Sequence, residues 1–352
     1  MTASSGQASF VVVPDRRPTS HDVAAAAGVS QSTVSLVLSG KADGRVSARV
    51  QDRVRAAADA LGYRPDAAAR TLRSGRAGAV GLLVPDVTNP FLGRVLRGAQ
   101  ARAREADVQV ALVEPGDDRD DQLQAMQALR AGSVDGLLLF VVAPPPPDEL
   151  ARRGPVVVLD AVAPGVPSVT VDVAGGFDAA IAHLVALGHR RIAHLGADVD
   201  ASTFRVRRAR WLAAMDELGM PAAGRSEAWA PFDLDAAREA GHRLLASSPR
   251  PTAVVCDDDL LAAGLRVAAD EADVDVPGAL SIVGFADTVL SQVTTPALTT
   301  VAAPAEELGA TALGHLLALI AGTPAPMRTE LPVRLVARAS TAPPAAPEPS
   351  TA

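Results

Sequence analysis

Between Ser30 and Ser39 the chain sets hydrogen-bonding side chains, Gln31, Ser32, Thr33, Ser35 and Ser39, beside one apolar member, Leu36, on a stretch that reads as a helix. These are groups that read duplex DNA. Glutamine pairs with adenine through both amide atoms, serine takes a base edge or a phosphate, and leucine offers a surface suited to a thymine methyl. A helix N-terminus faces phosphate of its own accord. The other reactive residues promise less. The six histidines, His21, His183, His189, His194, His242 and His315, show no metal-ligand spacing, no Ser or Cys sits in a nucleophile elbow, and no glycine-rich phosphate loop is present. Asp257-Asp258-Asp259 suggests a cation, but a strand-end loop with a helix-capping carboxylate explains it with fewer demands. The expectation is a binding protein, with no enzyme chemistry, no cofactor and no metal.

Three short helices must position that reading surface. Thr19-Ser20-His21-Asp22 is a capping pattern, a hydroxyl with a carboxylate three residues later, and Val23, Ala24 and Ala27 then fall on one face. Gly28 supplies a residue able to turn at positive φ, Val29 plugs the turn, and Ser30 caps a second helix through Leu38, packed on the first by Val34, Val37 and Leu38. Two helices joined by such a turn make a helix-turn-helix, whose second helix lies in the major groove. A third helix, Ser47 to Leu61, repeats Val50, Val54, Ala57, Ala58 and Leu61 at helical spacing and points its arginines outward. From Arg64 to Leu72 a proline at a helix start precedes strong helix formers. Standing alone this piece is too short to hold, so it is expected to order with a partner on DNA, where Leu72 would wedge between base steps in the minor groove. Thr19, Ser30, Thr33, Ser39, Ser47, Ala69 and Leu72 complete the expected DNA-contacting set with Gln31, Ser32, Ser35 and Leu36.

Charge follows the same division. Asp15 to Arg76 holds eleven Lys or Arg against six Asp or Glu, a balance of +5, so with −7 for the whole chain the remainder carries about −12. Basic charge is concentrated where the reading motif sits. The single Cys256 excludes an intrachain disulfide and is expected to be buried. The short apolar run Phe10–Val13 is too brief for a signal peptide or a membrane span, which points to the cytoplasm. Residues 1–17 and 341–352 read as disordered tails, the latter without the leucine heptads of a tetramer.

Beyond Gly78, apolar runs alternate with helical stretches: 79–84, 108–113, 136–142, 156–159, 169–171, 192–195, 253–256 and 281–285. Such alternation predicts parallel, doubly wound sheets with helices on both faces. The length suffices for two lobes. In these folds ligands bind at the carboxyl ends of strands. Candidates there are Asp86, Asn89 and Phe91 after the first strand, Phe140 after the third, Asp160 after the fourth and Asp258 after Cys256, with Arg207 and Phe232 on intervening loops or helix starts.

Several stretches together resemble the lac-repressor family of bacterial regulators: SHDVAAAAGVSQSTVSLVLSG (20–40), GYRPDAAARTLRSG (62–75), HLVALGHRRIAHLG (183–196), LSIVGFAD (280–287) and PALTTVAAPAEELG (296–309). The likeness covers nearly everything from Thr19 to about Ala337. It implies an all-α headpiece, 18–63, a hinge and linker, 64–77, and a periplasmic-binding-protein-like domain, 78–340, with lobe one at 78–171 and about 301–327 and lobe two at 172–300 and about 328–340. It further implies a homodimer on a near-palindromic operator, switched by a small molecule between the lobes, with dimer contacts on lobe one and the helix 305–321. The candidate pocket residues match positions that line the family's effector cleft. Arg207 fits an Arg that precedes a glycine-aromatic pair by three residues, with Arg210 in place of the glycine and Trp211 as the aromatic. Such an Arg clamps a carboxylate, a phosphate or vicinal hydroxyls.

Departures bear on the effector. Ala286 stands where the family usually carries an aspartate, Asp258 where it usually has asparagine, and Phe140 replaces a common polar residue. A sugar left with unpaired hydroxyls in a dry pocket binds poorly, so a sugar, another small metabolite, and a vestigial cleft on a constitutive regulator all stay open. A solute-binding protein with incidental N-terminal helices is the reading from another class, and the basic headpiece weighs against it.

Overall fold

The computed structural model describes residues 18–40, 42–64, 76–115, 119–131, 134–140, 150, 154–220 and 225–345 of the 352. The hinge segment with Ala69 and Leu72, the N-terminal tail and residues 346–352 lie outside the described residues. Two compact units emerge, Met1–Ala77 and Gly78–Ala352.

In the first unit, α1 (Ser20–Ala27), α2 (Gln31–Leu38) and α3 (Ala48–Ala60) close on a small core of Val23, Ala24, Ala27, Val34, Val37, Ala42, Val54 and Ala58. The turn between α1 and α2 forms as the residues dictate, with Gly28 at φ 60 and its N–H bonded to the carbonyl of Ala25 at 3.3 Å. The buried face of α3 is Gln51, Val54 and Ala58, with Val50 and Ala57 beside it. Leu61, expected inside, is 38% exposed. The helix stops at Ala60, Gly62 turns at φ 64, and the Tyr63 N–H bonds the Ala58 carbonyl at 2.8 Å, so Tyr63 covers the core that Leu61 leaves. Gln51 is tolerated there because its amide donates to the Val46 carbonyl at 3.0 Å.

The second unit is a pair of six-stranded sheets. Lobe one uses β1 (Ala79–Leu83), β2 (Gln109–Val113), β3 (Leu137–Phe140), β4 (Val156–Leu159), β5 (Ser168–Val171) and β11 (Arg328–Leu331) in the order β11-β5-β4-β3-β1-β2. Lobe two uses β6 (Ile192–Ala197), β7 (Glu227–Ala230), β8 (Ala253–Cys256), β9 (Ser281–Ala286), β10 (Thr299–Ala302) and β12 (Arg334–Val336) in the order β12-β10-β9-β8-β6-β7. All pairings are parallel except β10 with β12. The central strands β4 and β8 are buried end to end and β3 up to Phe140, which their Val- and Leu-rich runs require of a sheet covered on both faces.

Around lobe one lie α4 (Pro90–Glu105), α5 (Arg119–Ala131) and α11 (Ala305–Ile320); around lobe two lie α6 (Val173–Ala186), α7 (Ser202–Glu217), α8 (Leu234–Leu245), α9 (Asp259–Glu271) and α10 (Val289–Val293). Helices α4 and α11 meet at backbone distance, because a Cβ on Gly98 would fall on the Glu306 carbonyl and one on Gly309 on that of Val95. The chain passes between lobes after β5, after β10 and between β11 and β12.

The chain crosses back after Ala302, close to the Val301 expected, since β10 pairs with β9 through Ala302. Two expectations need correction. Residues 328–331, expected in lobe two, belong to lobe one, since β11 pairs with β5 from Arg328 to Leu331. Residues 341–342, expected in a loose tail, are held on lobe two: His183 Nε2 meets the Thr341 hydroxyl at 2.9 Å and the Ala342 N–H donates to the Ser281 hydroxyl at 3.0 Å. Among the described residues no helix is long and apolar enough to cross a membrane.

Candidate functional site

The reading surface of the first unit is built from helix starts. Thr19, Ser30 and Ser47 are the N-caps of α1, α2 and α3. Thr19 and Asp22 form the full capping box, the Thr19 N–H donating to the Asp22 carboxylate at 2.7 Å. At the start of α2, Ser30 Oγ lies 2.7 Å from Ser32 Oγ and 2.8 Å from Thr33 Oγ1, and accepts from the Thr33 N–H at 3.2 Å. Gln31 and Ser32 are exposed, Ser35 and Leu36 half-buried, and Ser39 closes the helix with its hydroxyl donating to the Leu36 carbonyl at 3.2 Å. One participant gave no sequence signal. Ser20 accepts from Gln31 Nε2 at 2.7 Å, which braces the first reading side chain against α1 and leaves its carbonyl oxygen as an acceptor.

In the second unit, the strand ends of both lobes enclose a cavity of about 480 Å³. All nine expected residues, Asp86, Asn89, Phe91, Phe140, Asp160, Arg207, Phe232, Asp258 and Ala286, line it. Several are set by an identifiable local device. Asp86 accepts from the Thr88 N–H at 2.7 Å and the Thr88 hydroxyl at 2.6 Å, and Asn89 caps α4 by accepting from the Phe91 N–H at 2.9 Å. Phe91 meets Phe140 edge-on at 6.2 Å. Asp258 caps α9, accepting from the Leu260 N–H at 2.6 Å. Sequence reasoning missed Asp198, Thr203, Phe204, Asp257 and Phe285 in the wall. Thr203 and Phe204 were within reach, since they precede Arg207 by one helical turn on α7.

Arg207 is the electrostatic centre. It is 6% exposed, its guanidinium carbon lies 3.9 Å from the Phe285 ring centre and 5.1 Å from that of Phe204, and its Nη1 donates to the Asp257 carbonyl. Two carboxylates feel its charge. Burial pushes Asp160 up to about 6 while Arg207 opposes the shift, and burial likewise raises Asp258. The three consecutive aspartates divide their work. Asp257 accepts from His194 Nε2 at 2.9 Å and the Ala197 N–H at 2.9 Å, and Asp259, raised by burial and by Asp258, accepts from the Thr288 N–H at 2.6 Å and the Thr300 hydroxyl at 2.5 Å. Among the described residues no cluster of three His, Cys, Asp or Glu is placed to hold a metal ion. His194 lies inside β6. Cys256 is fully buried, and burial drives its thiol well above the ordinary range.

The end of β9 and the loop after it complete the wall under strain. Ala286 has φ 103 and Asp287 φ 52, the Asp287 carboxylate is held by Arg338 at 2.6 Å, and its backbone carbonyl accepts from Arg94 of lobe one at 3.0 Å. A non-glycine residue in that region costs about 1–3 kcal/mol, against roughly 0.5–1 kcal/mol for the extra freedom glycine has when unfolded. Ala286→Gly is therefore expected to raise stability by about 1 kcal/mol in urea unfolding. A lower midpoint would show that the lost methyl contacts outweigh the relieved strain.

Comparison with known proteins follows this division. Residues 19–66 match the model described as bacterial regulatory proteins, lacI family, and residues 181–341 the periplasmic binding protein-like domain. The transcriptional regulator DegA of Bacillus subtilis is 32% identical over 304 residues, 84% of this chain and 89% of its own length. The ribose operon repressor of Escherichia coli K12 is 33% identical over 314 residues, 85% and 92% of the two chains. Among solved structures, the lac repressor dimer bound to operator and the anti-inducer ONPF superposes with a TM-score of 0.81 at 27% identity, covering 93% of this chain and all of that one. An Enterococcus faecium family member with bound ribose gives 0.68 at 29% identity, covering 75% of this chain and 99% of that one. With its helix-turn-helix and its two-lobed cavity both matched in order along the chain, the protein belongs to the lacI family of bacterial regulatory proteins.

Proposed function

We propose that this protein is a cytoplasmic, homodimeric repressor that binds a near-palindromic operator and whose affinity for it is set by a small molecule in the cavity between the lobes. The observation that carries the reading is the presence in one chain of a helix-turn-helix with Gln31 and Ser32 exposed at the start of its second helix and a preformed cavity walled by both lobes. It works by binding, with no turnover. Each recognition helix reads one half-site, and hinge segments pair in the minor groove with Leu72 between base steps. An effector that prefers one lobe arrangement shifts the hinge separation, and thereby operator affinity, by linkage.

Sequence selection by the full-length protein from a random duplex pool tests this. A two-fold motif is expected, with Gln31→Ala relaxing base preference at one position per half-site at a cost of about 1–3 kcal/mol. Leu72→Ala is expected to weaken specific binding while leaving the thermal transition in place. Enrichment of no motif, with or without pooled metabolites, would overturn the operator reading.

A further inference from the structure

Five of the chain's seven phenylalanines converge on the cavity. Phe91 and Phe140 stand on lobe one, Phe204 and Phe232 meet on lobe two at 5.6 Å, and Phe285 lies under Arg207. Rings arranged this way take the flat face of a bound ring and attract a cation held over them. The same wall holds Asp86, Asp160, Asp198, Asp257 and Asp258, of which the Asp257 carboxylate is taken up by His194 and the Ala197 N–H.

Among the described residues that line the cavity, Arg207 is the only cation. Its single charge is shared among Phe285, Phe204, the Asp257 carbonyl and the carboxylates of Asp160 and Asp258. Negative charge therefore exceeds positive on a wall of low polarity, an arrangement that a bound cation relieves and a bound anion worsens. A neutral polyol would satisfy hydrogen bonds and leave that excess in place. One donor also lacks an acceptor. The Nε–H of Arg207 has no partner and no open surface of its own, so a ligand oxygen would meet the guanidinium at its other N–H groups.

We propose that the cavity takes a ring-shaped small molecule carrying a protonated amine and at least one hydroxyl, the amine held among the carboxylates, the hydroxyl on Arg207 and the ring between the phenylalanines. The inference rests on the effector reading of the cavity and narrows it to one charge type. Asp258, in place of the asparagine expected there from the family, supplies one of the extra negative charges.

Isothermal titration of the full-length protein with matched probes tests it: glucosamine against glucose and N-acetylglucosamine, and tyramine against 4-hydroxyphenylethanol. At least one amine is expected to bind at least tenfold tighter than its neutral counterparts. Asp160→Asn and Asp258→Asn are each expected to cut that preference several-fold, with thermal unfolding showing both variants folded. Neutral probes binding as tightly as amines would overturn the amine while leaving the effector reading intact. So would an amine preference that survives both substitutions. No binding by any amine at millimolar concentration, with operator binding retained, would also overturn it and leave the regulator reading standing.

Discussion

Asp257→Ala is expected to destabilise the two-lobed unit by about 3–5 kcal/mol. The Asp257 carboxylate is fully buried and holds two donors, His194 Nε2 at 2.9 Å and the Ala197 N–H at 2.9 Å. Its removal strands both donors in a site that water does not reach, and each stranded donor costs about 1–3 kcal/mol. His194 cannot turn to find another partner. It stacks on Trp211 at 5.5 Å, with Phe177 and Trp229 edge-on at 5.8 and 5.6 Å. For a unit of this size each kcal/mol lowers the melting temperature by roughly 2–4 °C, so calorimetry should find a drop on the order of 10 °C. A drop under about 2 °C would mean that the ring cage, without the hydrogen bonds, holds this part of the second sheet. The loss also reaches the cavity, because the Asp257 backbone carbonyl receives Arg207.

The second large effect depends on pH. Burial raises the Asp160 carboxyl from 3.8 to about 6, so the folded chain keeps that proton more tightly than the unfolded chain does. Folding is thus unpenalised by Asp160 below about pH 4, loses stability as pH rises from about 4 to about 6, and carries the full penalty above that. A rise of about two units corresponds to up to about 3 kcal/mol at neutral pH. Asp160→Asn removes the charge and keeps a residue type that accepts the φ of 55 found there. The variant should match the parent in urea at pH 4 and exceed it at pH 7.5. An equal gap at both values would assign the effect to hydrogen bonding rather than ionisation.

Most strands of the second unit were legible because they are continuous apolar runs, as strands buried on both faces must be. β7 and β10 were not. Glu-Ala-Trp-Ala forms a sheet edge with Glu227 paired outward to Arg208 at 2.7 Å, and Thr299 and Thr300 of β10 are buried, the Thr299 N–H donating to the Ser340 hydroxyl and the Thr300 hydroxyl to Asp259. Their partners lie 41 residues away in each case, beyond any local pattern. β11, Arg-Thr-Glu-Leu, is a polar edge strand whose lobe is decided by its pairing with β5 and by nothing in its own composition. Asp86, Asn89, Phe91, Phe140, Asp160 and Asp258 were legible because ligand sites in parallel sheets lie beyond strand ends, whereas Arg207, Phe232 and Ala286 were legible only with the help of the family resemblance. The Ser20 brace and the Asp257–His194 pair were not, since each depends on how two separate segments meet in space.

Three strand-to-strand passages join the lobes, after β5, after β10 and between β11 and β12. One such tether would let the lobes tumble; three side by side leave little freedom to slide, separate or twist. What remains soft is mainly swinging about the line of the tethers, as leaves of a book turn on a stitched spine. Whatever fills the cavity then sends its message as an angle. Under the proposed function, a ligand's size and charge would register as how far that book stands open.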